Sequence, residues 1–117
     1  MKVAHSVQRL LLPGAAVLAM LWVVVRAHVQ AVVIDEAMTY SNWVGLWWPS
    51  EWTPHANNHL LNSMLMRFFV SIFGVSHLTV RSGAVIGAAC YIFVAYRFSK
   101  LIAQDIALRL SLFLCLV

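Results

Sequence analysis

Two adjacent carboxylates, Asp35 and Glu36, stand where the first long apolar run of the chain gives out. Charged groups beside hydrocarbon are costly, so they are usually solvated, paired or used. One reading is purely structural: Asp35 caps a helix and Glu36 is a first-turn acid that the helix dipole favours. The chemical reading is a carboxylate held at a lipid–water boundary, where it could deprotonate a hydroxyl or hold a metal ion. His55 and His59, in "HANNH", are four residues apart and would share a face if a helix began early. A zinc site needs further ligands, and Asp35 or Glu36 could supply one. Pro54 and the asparagines favour an extended entry at His55, so interfacial, hydrogen-bonded histidines are the simpler outcome. Arg67 and Arg81 either bind a phosphate at the membrane surface or snorkel from apolar segments toward water.

The elements that must position these side chains follow from composition. Of 117 residues, 62% are hydrophobic and 10% charged, against about 25% charged in a soluble domain. A chain this short cannot hide so much apolar surface from water. Lipid is therefore the expected solvent. The net charge of +4 does not imply nucleic acid, because the basic residues are spread along the chain and sit at the edges of apolar runs. Cys90 and Cys115 lie inside apolar stretches and read as unpaired small hydrophobes. There is no Gly-rich phosphate loop, no GxSxG and no repeat.

Residues 10 to 33 are long enough to cross a bilayer if Arg26 snorkels to the far side. Pro13 falls in the first turn of that helix. A cleaved signal peptide is the rival reading, with Lys2 and Arg9 ahead of the apolar core and "VQA" at 29 to 31 before a cut. Residues 34 to 77 form an outer loop in which Trp43, Trp47, Trp48 and Trp52 favour the headgroup zone. A short helix over 36 to 47, capped by Asp35, places Ala37, Tyr40, Val44 and Trp47 on one side and lies along the surface. A second amphipathic helix over 58 to 74 starts at Asn57 or Asn58 and stops at Gly74. Another crossing occupies 78 to 98, with Gly83, Gly87 and the alanines at 84, 88 and 89 as a strip for close packing. A third apolar run, 103 to 117, is still apolar at Val117, which suggests the N-terminal piece of a longer protein. The expected class is all-α: a polytopic helical membrane protein whose outer loop carries interfacial helices. Lys2 and Arg9 before the first crossing, and Arg97 and Lys100 after the second, set the N-terminus cytoplasmic and the loop outside.

This order of features resembles the start of the polytopic GT-C glycosyltransferases, in pattern the protein O-mannosyltransferase and aminoarabinose-transferase-like group. The residues that carry the resemblance are "DEA" at 35 to 37 after the first helix, "HLL" at 59 to 61, "FG" at 73 to 74, Ser76 and Arg81-Ser82. Such a resemblance, covering about residues 34 to 100, implies sugar transfer from a polyprenyl-phosphate sugar to an acceptor at the outer face of the cell membrane. It implies Asp35 as base, with Glu36 as its support, and makes Tyr40, Asn58, His59 and Arg81 candidates for substrate contact. Leu60 stands where many relatives have proline. Asn57 and Asn58 stand where metal-using members can have an acid, so the loop does not support a divalent ion, and no metal ligand is assigned. The implied partners are the lipid-linked donor, membrane lipid and further transmembrane helices, with no nucleic acid; this piece alone is expected to be inactive. A reading from another class is a non-enzymatic membrane subunit or transporter fragment whose outer loop binds a lipid or a partner.

Overall fold

The computed structural model describes residues 2–44 and 59–117. Its regular structure is helical throughout, with no strand among the described residues. Helix α1 spans Lys2–Val29. Helix α2, Ile34–Thr39, runs directly into a π-helical stretch at Tyr40–Val44. Helices α3 (Leu60–Phe73), α4 (His77–Val80), α5 (Ser82–Ile102) and α6 (Ile106–Leu116) follow. The all-α class expected from the sequence is found.

Among the described residues, two helices are long and apolar enough to cross a membrane: Leu10–Val29 within α1, and α5. Helices of a soluble core hide their side chains, whereas only 11% of the α1 window and 17% of the α5 window is buried. Leu18, Trp22, Phe93 and Val94 are each 61–68% exposed. Helices α3 and α6 are apolar but, at 14 and 11 residues, shorter than a crossing.

Several boundaries differ from the sequence reading, each for a local reason. Helix α1 begins at Lys2, so Pro13 lies in its interior and not in its first turn. Hydropathy marks where the apolar window opens, but a backbone ladder also runs through polar residues. Helix α5 begins at Ser82 because Ser76 first starts the separate turn α4. The Ser76 hydroxyl accepts the Thr79 N–H at 3.2 Å, and Thr79 Oγ1 accepts the Ser76 N–H at 2.8 Å. Helix α3 is capped by His59 rather than an asparagine, and it ends at Gly74 as expected. There φ is +75°, a left-handed conformation that glycine adopts without strain, and the Gly74 N–H donates to Val70 O at 2.9 Å. Asp105 caps α6, its carboxylate accepting the Ala107 and Leu108 N–H groups at 2.9 and 3.2 Å.

The chain forms two compact units. One comprises Met1–Val23 and Gly87–Val117; its core is Leu12, Ile92, Ala95 and the fully buried Phe113, with Ala15, Ala16 and Ala19 packed against it. Small residues here let helices approach closely. Cys90 and Cys115 are free and exposed, in keeping with the sequence reading.

The other unit, Val24–Ile86, contains the site residues. Its core is Val44, Met66 and Val80, flanked by Tyr40 and Val70. The expected stripe Ala37–Tyr40–Val44 is only partly realised, since Ala37 is exposed while Thr39 and Val44 are buried. The π-helical turn resets the helical phase, so Tyr40 and Val44 meet α3 and Ala37 swings out; Trp47 lies outside the described residues. Of the expected small-residue strip, Gly83 makes a close approach: a Cβ there would collide with the Asn62 amide oxygen and lie 3.4 Å from the Asn62 Cα. Gly87 has open space around it.

Gly83 therefore sets how near α3 can come to the start of α5. Gly83→Ala should be close to neutral, because the Asn62 side chain can rotate away and alanine contributes about 1 kcal/mol of helix propensity. Gly83→Leu should destabilise the protein by about 1–3 kcal/mol, since the backbone of α3 must shift. Thermal unfolding in detergent measures both, and unfolding of Gly83→Leu at the wild-type temperature would refute the close approach.

Candidate functional site

The site is built where α1 stops. A helix leaves its last four carbonyls without intrahelical partners, and near hydrocarbon water cannot be relied on to supply them. Arg26 O accepts the Gln30 N–H at 3.0 Å. His28 O accepts from Nδ1 of His77, the first residue of α4, at 2.9 Å, so that nitrogen carries the proton. Arg81, at the junction of α4 and α5, takes one more carbonyl of the helix and two from the residues just past it. Its Nη1 donates to Ala27 O at 3.1 Å and Gln30 O at 2.8 Å, and its Nη2 donates to Ala31 O at 2.7 Å. A cation is also the favourable charge at the negative end of a helix dipole.

The remaining donors of Arg81 go to Glu36. Nε donates to Oε1 at 2.7 Å and Nη2 to Oε2 at 2.8 Å, a two-point fork onto one carboxylate. A guanidinium has five N–H donors, and Arg81 makes five such bonds within its own chain. It is buried, with 7% of its surface exposed. The sequence offered phosphate binding or snorkelling for Arg81. Here it turns inward and joins three carbonyls of one segment to the carboxylate of the next.

That arrangement also explains where α2 begins. The N-cap is Val33, not Asp35. Glu36, three residues on, accepts the Val33 N–H with Oε2 at 3.1 Å, the acidic half of a capping box. Because Arg81 holds that carboxylate, Glu36 fixes the first turn, and Asp35 is left as its second residue. Successive helical residues diverge by about 100° around the axis. With Glu36 directed at Arg81, Asp35 points elsewhere: it is exposed and makes no side-chain hydrogen bond or ion pair with the described residues. The two neighbouring acids thus differ in kind. Glu36 is committed, and neither oxygen of Asp35 is engaged by a described residue.

Glu36 and Arg81 are brought together, and Asp35 is beside them by chain. Tyr40 packs half-buried against the Val44–Met66–Val80 core one turn further on. His59 is exposed at the head of α3 and caps it without a side-chain hydrogen bond. Asn58, His55, Trp47, Trp48 and Trp52 lie outside the described residues. Arg67 is half-buried on α3 and has an interaction of its own. Among the described residues, no three metal-ligating side chains gather. Sequence reasoning missed the Glu36–Arg81 pair and the role of His77. The available signal was that an arginine in an apolar run needs a carboxylate, and the first loop opens on two, Asp35 and Glu36.

The hydrogen bond from Arg81 holds the Glu36 carboxyl below its ordinary value, against a smaller opposing effect of burial and with help from the Val33 N–H. The same bond raises Arg81. A depressed carboxyl contributes stability that is complete above its unfolded value, about 4.3, and is lost as pH falls through the folded one. Wild-type protein should therefore lose thermal stability on acidification below about pH 4 more steeply than Glu36→Gln. Parallel acid limbs for the two proteins in a melting series would show that the pair contributes nothing.

No family model, curated protein or solved structure matches the chain. What the site does must be read from its geometry and from the order of its sequence features.

Proposed function

We propose that this chain belongs to a membrane glycosyltransferase of the GT-C type, with Asp35 as the base that activates the acceptor. One observation carries the reading: of two adjacent carboxylates beyond the end of a membrane-length helix, Glu36 is held by Arg81, and Asp35 is exposed and has no side-chain partner among the described residues. Support also comes from the ordered set "DEA", "HLL", "FG", Ser76 and Arg81-Ser82 behind an apolar helix.

The chemistry is consistent with a single free carboxylate. The acceptor hydroxyl attacks the anomeric carbon of a polyprenyl-phosphate sugar. Its proton passes to Asp35 as the new C–O bond forms, and the bond to phosphate breaks with both electrons leaving on the phosphate oxygen. Such a leaving group needs no strong acid, so one carboxylate suffices where a glycosidase uses two. A lipid-linked donor presents its sugar at headgroup level, and a base at the end of an apolar helix meets it there. In this reading α1 and α5 cross the cell membrane, Lys2 and Arg9 stay cytoplasmic with Arg97 and Lys100, and residues 34 to 77 face outward. Tyr40, Asn58 and His59 are the substrate contacts, with the remaining donor contacts supplied by further transmembrane helices.

Membranes containing the native protein, given a labelled polyprenyl-phosphate sugar and candidate acceptors, should transfer label. Asp35→Asn should lower turnover by about 100-fold or more, the upper part of the range for loss of a general base, with expression and insertion unchanged. Turnover equal to wild type would remove Asp35 as base. A wild-type protein that binds lipid but transfers nothing would point instead to a non-enzymatic membrane subunit.

A further inference from the structure

We infer that Arg81 is a positioning residue for Asp35, acting through Glu36, and not a ligand for the donor phosphate. The inference rests on the reading of Asp35 as base and assigns to Arg81 a role that its residue type alone does not suggest. An arginine at a membrane surface is a natural phosphate ligand, but that role requires N–H groups to give. All five of Arg81 point at protein oxygens 2.7–3.1 Å away. A phosphate could be bound only by breaking one of them, at a side chain that is 8% exposed.

The same five bonds define what the residue does. Three acceptors, Ala27 O, Gln30 O and Ala31 O, belong to the end of α1 and the strand of chain that leaves it. The other two are the oxygens of Glu36. Between Ala31 and Glu36 lie Val32, Val33, Ile34 and Asp35, so this short connection is pinned at both ends by one planar group. Its middle is pinned again where the Val33 N–H meets Glu36 Oε2. Asp35 sits inside this closed loop, and its side chain makes no hydrogen bond or ion pair among the described residues. Its direction is therefore inherited from its neighbours, above all from the Glu36 side chain that Arg81 fixes. Lysine cannot replace the arginine, because three donors on a flexible stem cannot serve two carboxylate oxygens and three carbonyls at once.

The role predicts effects that differ from those of a phosphate ligand. In the native protein in lipid nanodiscs, with Cys90→Ser and Cys115→Ser, a spin label at Asp35→Cys reports local motion without any need for activity. Arg81→Lys and the milder Glu36→Gln should both sharpen its spectrum toward fast motion, Arg81→Lys more strongly. With Asp35 retained, Arg81→Lys should lower kcat by about 100-fold, the scale of a small misplacement of a reacting group, while the KM for the polyprenyl-phosphate sugar changes less than about twofold. An unchanged label spectrum in both variants overturns the proposal. So does a donor KM that rises while kcat is kept, which would make Arg81 a phosphate ligand. If wild-type protein transfers no sugar, the glycosyltransferase reading fails, and the spectra still decide whether Arg81 orders position 35.

Discussion

The Arg81 guanidinium is the constraint on which the site-bearing unit depends. A helix of this length must end somewhere, and its last carbonyls then lack partners, a need that costs several kcal/mol per group wherever water does not meet it. Water, a glycine turn or a side chain can meet this need. Here two side chains meet it: His77 takes His28 O, and Arg81 reaches back 50 to 54 residues to Ala27 O in the helix and to Gln30 O and Ala31 O just past it. A buried guanidinium brings its own problem, a desolvation cost of several kcal/mol for an uncompensated charge. Glu36 answers that cost, and by answering it becomes fixed. Helix termination, charge compensation and the start of α2 are thus one physical event.

The end of α5 is handled differently. The α5 chain stops at Ile102, and Ala103 O accepts from Arg109 Nε at 2.8 Å, six residues along. Between them Asp105 caps α6, so donor and acceptor needs are met within a short local sequence. Ser99 hides its hydroxyl by donating back to Ala95 O at 2.8 Å. No long-range tie is needed when the next helix follows so soon. At the end of α1 the partner must come from far along the chain, because residues 30 to 33 contain no donor side chain stronger than Gln30.

What the sequence could convey follows this division. Periodicity and hydropathy are local, and they identified the two membrane-length helices, the amphipathic helix before Gly74 and the unpaired cysteines. The stop at Gly74 was legible because one glycine carries its own conformational reason. The cap of α2 was not. Asp35 is a better cap residue than Val33 by type, and only the distant Arg81 makes Glu36 the residue that fixes the first turn. Likewise, a helical wheel assumes an unbroken phase, so the π-helical turn at Tyr40–Val44 displaced Ala37 from the expected face. The small-residue strip on α5 was visible, but the choice of Gly83 over Gly87 depends on where Asn62 of α3 lies.

The paired acids can now be understood as a division of labour that either one alone could not perform. A free carboxylate on a short, solvent-facing helix would wander, because a short helix has little stability of its own. A fully held carboxylate would be rigid and chemically spent, its oxygens filled by donors. Adjacent positions on a helix solve both difficulties, since the turn between them sends one side chain inward and the other out. The inward acid ties the backbone to the end of α1, and the outward one makes no side-chain hydrogen bond or ion pair among the described residues. Arg81 is buried because its partners are the backbone and Glu36, and Asp35 is exposed because the described residues give it no side-chain partner.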